Sequence, residues 1–571
     1  MDLLVAIVLG VVVIVAVTSF APRVGVAAPL LLVLVGIGVS FLPFVPPIEV
    51  EPELVLGVIL PPLLYSAAAN VPAMDFRRDL RTISVFSVLL VVASALVVGV
   101  VLHALLPDIG LATAVAVGAV VSPTDAVATS IVRKAGVSPR IVTVLEGESL
   151  LNDASALVLL RSAIVATAAT VSVLDVAWDF VVAVAVAVLI GWVVGRLQLE
   201  VRARLAQATS NVAISLVAPF VAYLPAEHLG ASGLVAAVTA GLVTGHGGPR
   251  RLRAEDRAAQ RTVWRTLELL LESAVFLVMG LEVSGLVLDV REAHGSEVLA
   301  LGLGALVATL VVAVRTVFVS ASVWALARRA RRIPQLRAVL TRAQDRIEKQ
   351  AQPPGAPREE VERRRGLLRR RVRRRLADID YLAEQAFGPR EGVVLVWAGM
   401  RGAVTLAAAQ SLPSDTPQRS LLVLVAFVVA AGTLLVQGAT LPWVVRRLGL
   451  ADGPADDGSE RDALSAELRQ AALRRLDDDA LRRRDGTPFP PEVVERARLE
   501  LAAIDASDTD DDAGPVRADL QQLLLVLLDA QRQKLLGLRD VGAYSSKQLD
   551  AALVRVDAAQ IGVQMRASEG G

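Results

Sequence analysis

The residues best placed to do chemistry lie in one short stretch, Gly147-Glu148-Ser149-Leu150-Leu151-Asn152-Asp153, inside an apolar run from about Ile141 to Ala166. Two carboxylates and an amide are costly in the middle of a membrane-length hydrophobic segment. A charge near a bilayer centre costs roughly 2.5–3.5 kcal/mol on insertion scales, so such residues face a cavity or a partner. On a helix, Glu148 and Asn152 share one face at i, i+4, as do Ser149 and Asp153. The two pairs sit about 100° apart, which gives one polar sector rather than a ring. Adhesion between helices through Ser, Asn and an ion pair would explain part of the set. It does not require an Asp beside the pair. Burial disfavours the charged form of a carboxylate, so Asp153 can hold either a proton or a cation. If such a site cannot cross the membrane empty and charged, the two ligands compete, and exchange follows. Asp153 is the candidate carrier.

Two other stretches place polar groups where a membrane helix should be continuous. In Ser122-Pro123-Thr124-Asp125, Pro123 removes a backbone donor and disfavours helix at Ser122. The break frees carbonyls, which is tolerable inside a membrane only where they line a cavity. A simple kink is the alternative, but Thr124 and Asp125 directly after the proline favour a site. In Gly399-Met400-Arg401-Gly402 a guanidinium sits between glycines, which reads as a second broken helix related to the first by an inverted repeat. Unpaired it would be prohibitively costly, so Arg401 needs a carboxylate.

The elements that must position these residues are set by composition. Of 571 residues 54% are hydrophobic, and apolar runs of membrane length recur through the first 450 positions, which indicates a polytopic membrane protein. The reading is an all-α fold with about thirteen spans, near 2–20, 25–43, 54–71, 83–106, 110–132, 140–166, 177–196, 208–225, 230–246, 264–288, 297–327, 391–412 and 419–447. The chain divides into a membrane domain (1–327), an Arg-rich insertion (328–390), two further spans (391–449) and a helical tail (450–571). The absence of Cys excludes disulfides and thiolate metal sites. The first apolar run lacks a basic leader and reads as a retained helix. No phosphate loop is found, which argues against an ATP-driven pump.

A net charge of +1 conceals strong segregation. One alternating set of loops carries Arg23, then Arg77, Arg78 and Arg81, then Arg133, Lys134 and Arg140, and so on to the Arg-rich block after position 328. The opposite set carries Glu49, Glu51, Glu53, Asp108, Asp175 and Glu227, with Arg291 and Arg419 as its basic members. That contrast places the N-terminus outside and the C-terminus in the cytoplasm. The insertion, with a Pro353-Pro354-Gly355 break and a helical stretch Glu359–Tyr381, reads as lying near anionic headgroups. Nucleic-acid binding competes as a reading of so much Arg, but tethering between two spans favours lipid. In the tail, a carboxylate-rich Asp505–Pro515 patch is followed by helical periodicity over Leu520–Leu538 and Ser546–Val563. Docking, dimer contact and regulation are all open to it. The histidines, His103, His228, His246 and His294, fall at span ends or in loops.

The stretch around Asn152-Asp153 resembles the signature helix of cation:proton antiporters of the sodium–proton exchanger, NhaP-like, branch. Val121-Ser122-Pro123-Thr124-Asp125-Ala126-Val127 resembles that family's broken fifth helix, and Trp397-Ala398-Gly399-Met400-Arg401-Gly402-Ala403-Val404 its Gly-Arg-Gly element. The resemblance covers about residues 1–450. It implies a homodimeric antiporter of the cell membrane, without cofactor, exchanging cytoplasmic Na⁺ (or Li⁺) for external H⁺. A core around spans four to six and eleven to thirteen would move against a scaffold. An alkali cation needs several oxygens, and the candidates are the Asp153 carboxylate, the Ser149 hydroxyl and the Thr124 carbonyl, with Asp125 close by. By resemblance Glu148 pairs with Arg401 as scaffold, with Arg315 either sharing that network or reaching toward an interface. Asn152 in place of a second Asp implies electroneutral exchange.

One position departs from the resemblance. Relatives often carry an acid after the Pro-Pro-Leu-Leu-aromatic run of the third span, where this chain has Ser66. Glu272 resembles a family acid that attracts cations into the cytoplasmic funnel, or is a helix-end charge reaching water. A K⁺/H⁺ exchanger or cation pathway on the same helices is the nearest alternative. An intramembrane hydrolase using Ser149 and Asp153 lacks a base, because no His falls in the membrane middle.

Overall fold

The computed structural model describes residues 2–43, 45–168, 173–293, 295–330, 333–349, 358–385, 387–451, 458–483, 485–502 and 515–569. Among these the chain is helical, without strands. His294, the Pro353-Pro354-Gly355 break and the Asp505–Pro515 patch (its last residue apart) lie outside the described residues. The helices fall into two compact units. One comprises residues 1–248, 260–329 and 385–453, the other 249–259, 330–384 and 454–571.

The first unit opens with α1 (Asp2–Val24) and α2 (Ala28–Ser40). A π-helical stretch, Leu54–Ile59, runs into α3 (Leu60–Asn70). Next, α4 (Ala73–Ser84), a second π-helical stretch (Val85–Leu90) and α5 (Val91–Leu105) form one long helix. An interrupted element follows, α6 (Leu111–Val120) and α7 (Val127–Lys134). Then come α8 (Pro139–Ala168), α9 (Val173–Ala203), α10 (Ala208–His228), α11 (Gly233–Arg251) and α12 (Ala254–Leu281). After α13 (Val283–Glu292) and α14 (Glu297–Ala330) the chain leaves this unit for α15 (Ile333–Lys349) and α16 (Arg358–Glu384). It returns with a second interrupted element, α17 (Pro389–Trp397) and α18 (Ala403–Gln410), and with α19 (Arg419–Arg447).

Among the described residues, eight helices are long and apolar enough to cross a membrane. The other expected spans coincide with α2, α3, α11 and the two interrupted elements. Exposed side chains support the membrane reading: Leu4, Ile7, Val8 and Val12 of α1 are all exposed and apolar, which suits hydrocarbon. The fourth expected span begins about ten residues earlier than its apolar run, at Ala73. The polar start is accommodated because Asp79 is buried against Arg140, whose Nη2 lies 2.8 Å from Oδ1. Arg140 also donates to the Gln385 carbonyl at 2.7 Å and stacks over Phe387 at 4.3 Å.

Two apolar clusters organise this unit. The larger joins α5 to α8 with α14 and α17 to α19. The smaller packs alanines of α9, α10 and α11 around Tyr65 and Trp264, the small-residue packing expected where no water drives helices together. Hydrogen bonds link its buried polar groups: Tyr65 donates to Thr244 at 3.2 Å, Gln198 donates to Tyr65 at 2.7 Å, and Trp264 donates to Ser215 at 3.0 Å.

The second unit contains α15 and α16, joined by the ion pair of Arg337 and Asp380 at 3.1 Å. It also contains the tail helices α20 (Gly458–Leu476), α21 (Pro491–Ala502), α22 (Pro515–Val541) and α23 (Ser546–Glu569). The first two were not expected from periodicity. Leu476, Phe489, Val493, Leu523 and Leu527 form their core. Within this unit the tail helices hold the segment 249–259: Arg257 pairs with Asp557, both buried, and Arg532 donates to the Leu252 carbonyl at 2.9 Å.

Candidate ion-binding site

The two interrupted helices meet at their breaks. Ser122, whose hydroxyl donates to the Gly118 carbonyl at 2.7 Å, ends α6 ahead of Pro123. The chain is non-helical until α7, and on the way the Asp125 amide donates to the Met400 carbonyl in the other break at 2.8 Å. Each break exposes the ends of two short helices, with carbonyls at one end and amides at the other. Charged side chains match both. Asp125 accepts from the Val127 amide at 2.9 Å, at the positive end of α7. Arg401 donates to the Val121 carbonyl at 2.9 Å, to the Ser122 carbonyl at 3.3 Å and to its neighbour Gly399, so it serves the negative ends of α6 and α17. Its own amide donates to Thr433 of α19 at 3.0 Å.

Glycine is required at two places in this crossing. A Cβ on Gly402 would coincide with the Asp125 carboxylate, and one on Gly399 would stand 2.5 Å from the Arg315 side chain. Gly402→Ala is therefore expected to abolish transport and lower the melting temperature of the purified protein. Gly302→Ala, where no heavy atom lies within 4 Å of the added carbon, is expected to be neutral or slightly stabilising, as Gly to Ala is in helices. A thermal melt of both variants beside a transport assay checks this.

The expected pairing of Glu148 with Arg401 is not the one the structure makes. Glu148 faces Arg315 of α14, which reaches both carboxylate oxygens with Nη1 and Nη2, the latter at 2.9 Å, while its Nε donates to the Leu395 carbonyl at 2.9 Å. All three charged residues are buried to about 1% exposure. Arg401 does without a direct carboxylate because three backbone carbonyls at helix ends supply the negative potential it needs. Arg315 does not reach toward an interface.

Around this pair the polar sector of α8 divides into two halves. On one half, Glu148 accepts from Thr124 at 3.3 Å, and Asn152 donates to the Thr124 hydroxyl at 2.8 Å and, at 3.5 Å, to its carbonyl. Asn152 thus braces the break, with its Oδ1 buried and without a hydrogen-bond partner among the described residues. On the other half, Ser149 donates to the Glu146 carbonyl at 3.2 Å, and Asp153 has no ion-pair or hydrogen-bond partner among the described residues. Asp153, Ser149, Thr124 and Asp125 all line one cavity of about 340 Å³. Glu272 lines it as well.

Sequence reasoning missed Glu268, which lines the same cavity. It accepts from Ser66, and from Asn70 at 3.3 Å. A carboxylate from α12 therefore stands beside the serine that replaces the expected acid of the third span. The signal was available: Glu268 and Glu272 are four apart in Leu267-Glu268-Leu269-Leu270-Leu271-Glu272, and so share a face of an apolar helix. The pairing of Arg133 with Glu146, which also line the cavity, was not foreseeable.

Comparison with known proteins gives consistent results. The sequence model of a family described as sodium/hydrogen exchanger, transmembrane, matches residues 9–447. A relative from Mycobacterium tuberculosis, described as an uncharacterized Na⁺/H⁺ exchanger, is 31% identical over 538 residues, covering 92% of this chain and 89% of its own. A Na⁺/H⁺ antiporter of Aphanothece halophytica is 27% identical over 453 residues, covering 78% of this chain and 74% of its own. A Bacillus pumilus protein named as a sodium, potassium, lithium and rubidium/H⁺ antiporter is 32% identical over 277 residues, 47% of this chain and 41% of its own. The fold is shared with the solved sodium proton antiporter MjNhaP1 of Methanocaldococcus jannaschii, with a TM-score of 0.54 at 14% identity, over 78% of this chain and 99% of that one.

Proposed function

The chain belongs to the sodium/hydrogen exchanger family, and from that premise we propose that it exchanges cytoplasmic Na⁺ (or Li⁺) for external H⁺ by competition at Asp153. The observation that carries this reading is the division of the two carboxylates on α8. Glu148 is neutralised by Arg315, whereas Asp153 lines a cavity with oxygens of Ser149, Thr124 and Asp125 and has no cationic partner among the described residues. A hard alkali cation takes oxygen ligands, and this set offers carboxylate, hydroxyl and carbonyl oxygens. The Asp153 carboxylate carries either the cation or a proton across, and one cannot load until the other has left. Asp125 adds negative potential and fixes the break. Asn152 contributes an amide where a second carboxylate would carry another charge, which supports electroneutral exchange.

The charge asymmetry of the loops supports an N-terminus outside and an insertion and tail in the cytoplasm, and the resemblance to antiporters supports the cell membrane as its place. Helices α5 to α8, α14 and α17 to α19 form the moving core, and α1 to α3 with α10 to α12 form the scaffold and a homodimer contact. Glu268 and Glu272 attract cations toward Asp153. K⁺ is the second candidate cation, because the Bacillus pumilus relative is named for potassium as well as sodium.

Dequenching of a pH-gradient dye in everted vesicles tests this directly. Addition of Na⁺ or Li⁺ is expected to collapse the gradient, and the ranking against K⁺ identifies the cation. Competition also predicts a bell-shaped pH profile: protons occupy the carboxylate at low pH, and too few are available for return at high pH. A rate that rises monotonically with pH would contradict a shared site.

A further inference from the structure

α16 presents a second surface, unrelated to the ion site. Between Arg363 and Arg375 the sequence holds nine arginines and no acidic residue. Helical geometry sorts this stretch into two sides. Val372, Leu376 and Ile379 recur at helical spacing and are half-buried or buried, on the side from which Asp380 reaches Arg337 of α15. The opposite side is open. There Arg363, Leu367, Arg371 and Arg374 lie at i, i+4, i+8 and i+11, while Leu368, four residues before Val372, and Arg375, four before Ile379, stand toward its edge; all six are exposed. Leu367 is 64% exposed and Leu368 46%.

We propose that this open face docks on anionic lipid headgroups, with Leu367 and Leu368 entering the boundary of the acyl chains. The charge run supplies the attraction, since arginines near an anionic leaflet each gain from its surface potential. The leucines identify the partner. A phosphate backbone would satisfy the arginines but offers nothing to two adjacent aliphatic side chains, whereas a helix lying in a membrane interface combines a cationic face with apolar residues that sink between headgroups. Attachment at both ends keeps a bilayer within reach: the chain enters this segment from α14, which is long and apolar enough to cross a membrane, and leaves it through α17. The proposal does not depend on the transported ion.

The chain has no cysteine, so a single Leu367→Cys substitution can carry an environment-sensitive fluorophore on the full-length protein. The labelled protein is reconstituted into vesicles of phosphatidylcholine alone or with added phosphatidylglycerol. A blue-shifted signal, quenched by lipids bearing an acyl-chain quencher, is expected only with phosphatidylglycerol and is expected to reverse in high salt. Neutralising Arg371, Arg374 and Arg375 to Gln is expected to weaken docking roughly fivefold per arginine, about a hundredfold together. Gln keeps the helix propensity. A fluorophore at exposed Ser459→Cys in the tail serves as the control that should not respond. The salt titration of the unneutralised protein tests the idea even if the triple variant fails to fold. Identical spectra in both vesicle types overturn the proposal. A signal indifferent to lipid but responsive to added RNA would do the same and assign the surface to nucleic acid.

Discussion

Asp153→Asn is expected to abolish cation-dependent dequenching, down to the level of vesicles lacking the protein, while the protein still folds. The substitution keeps the shape of the side chain and removes the group that holds cation and proton in turn. Stability should stay level or rise, because a buried carboxylate without a partner is costly and Asp153 has none among the described residues. The two readouts together separate a carrier from a scaffold residue. Full transport in the Asn variant would remove Asp153 from the mechanism. Lost transport together with a lowered melting temperature would show that Asp153 holds the fold instead.

Glu148 and Arg315 should behave in the opposite way. Removing one member of a buried ion pair leaves the other uncompensated, which typically costs about 3–5 kcal/mol. Glu148→Gln and Arg315→Met are each expected to lower the melting temperature strongly, with loss of transport following loss of fold. The double variant is expected to recover most of the stability, since both buried charges are then gone. Groups in direct contact give large interaction energies in such double-mutant cycles. Glu148 with Arg401→Met should couple more weakly, because Arg401 rests on the Val121, Ser122 and Gly399 carbonyls. A larger coupling to Arg401 than to Arg315 would restore the pairing that the resemblance implied.

The contrast between these two carboxylates shows where sequence reasoning stopped. The sequence by itself determined that the chain is an all-helical membrane protein, because runs of apolar residues long enough to cross a bilayer have no other stable arrangement there. It also located both breaks, since Pro123 and the glycines around Arg401 disrupt a helix through purely local backbone effects. Placing Glu148, Ser149, Asn152 and Asp153 in one sector needed only the helical repeat. Which cation neutralises Glu148 was not legible. Arg315 sits in an apolar helix and Arg401 in a helix break, both far along the chain, and only their approach in space gives one the carboxylate and the other the carbonyls of two helix ends. Glu268 was hidden for the same reason. Its spacing from Glu272 was visible, but its place beside Ser66 depends on how α12 packs against α3. Local periodicity and breaks follow from neighbouring residues in sequence. Partners of these carboxylates are separated by 167 residues for Glu148 and Arg315 and by 202 for Ser66 and Glu268, so the tertiary structure alone decides them.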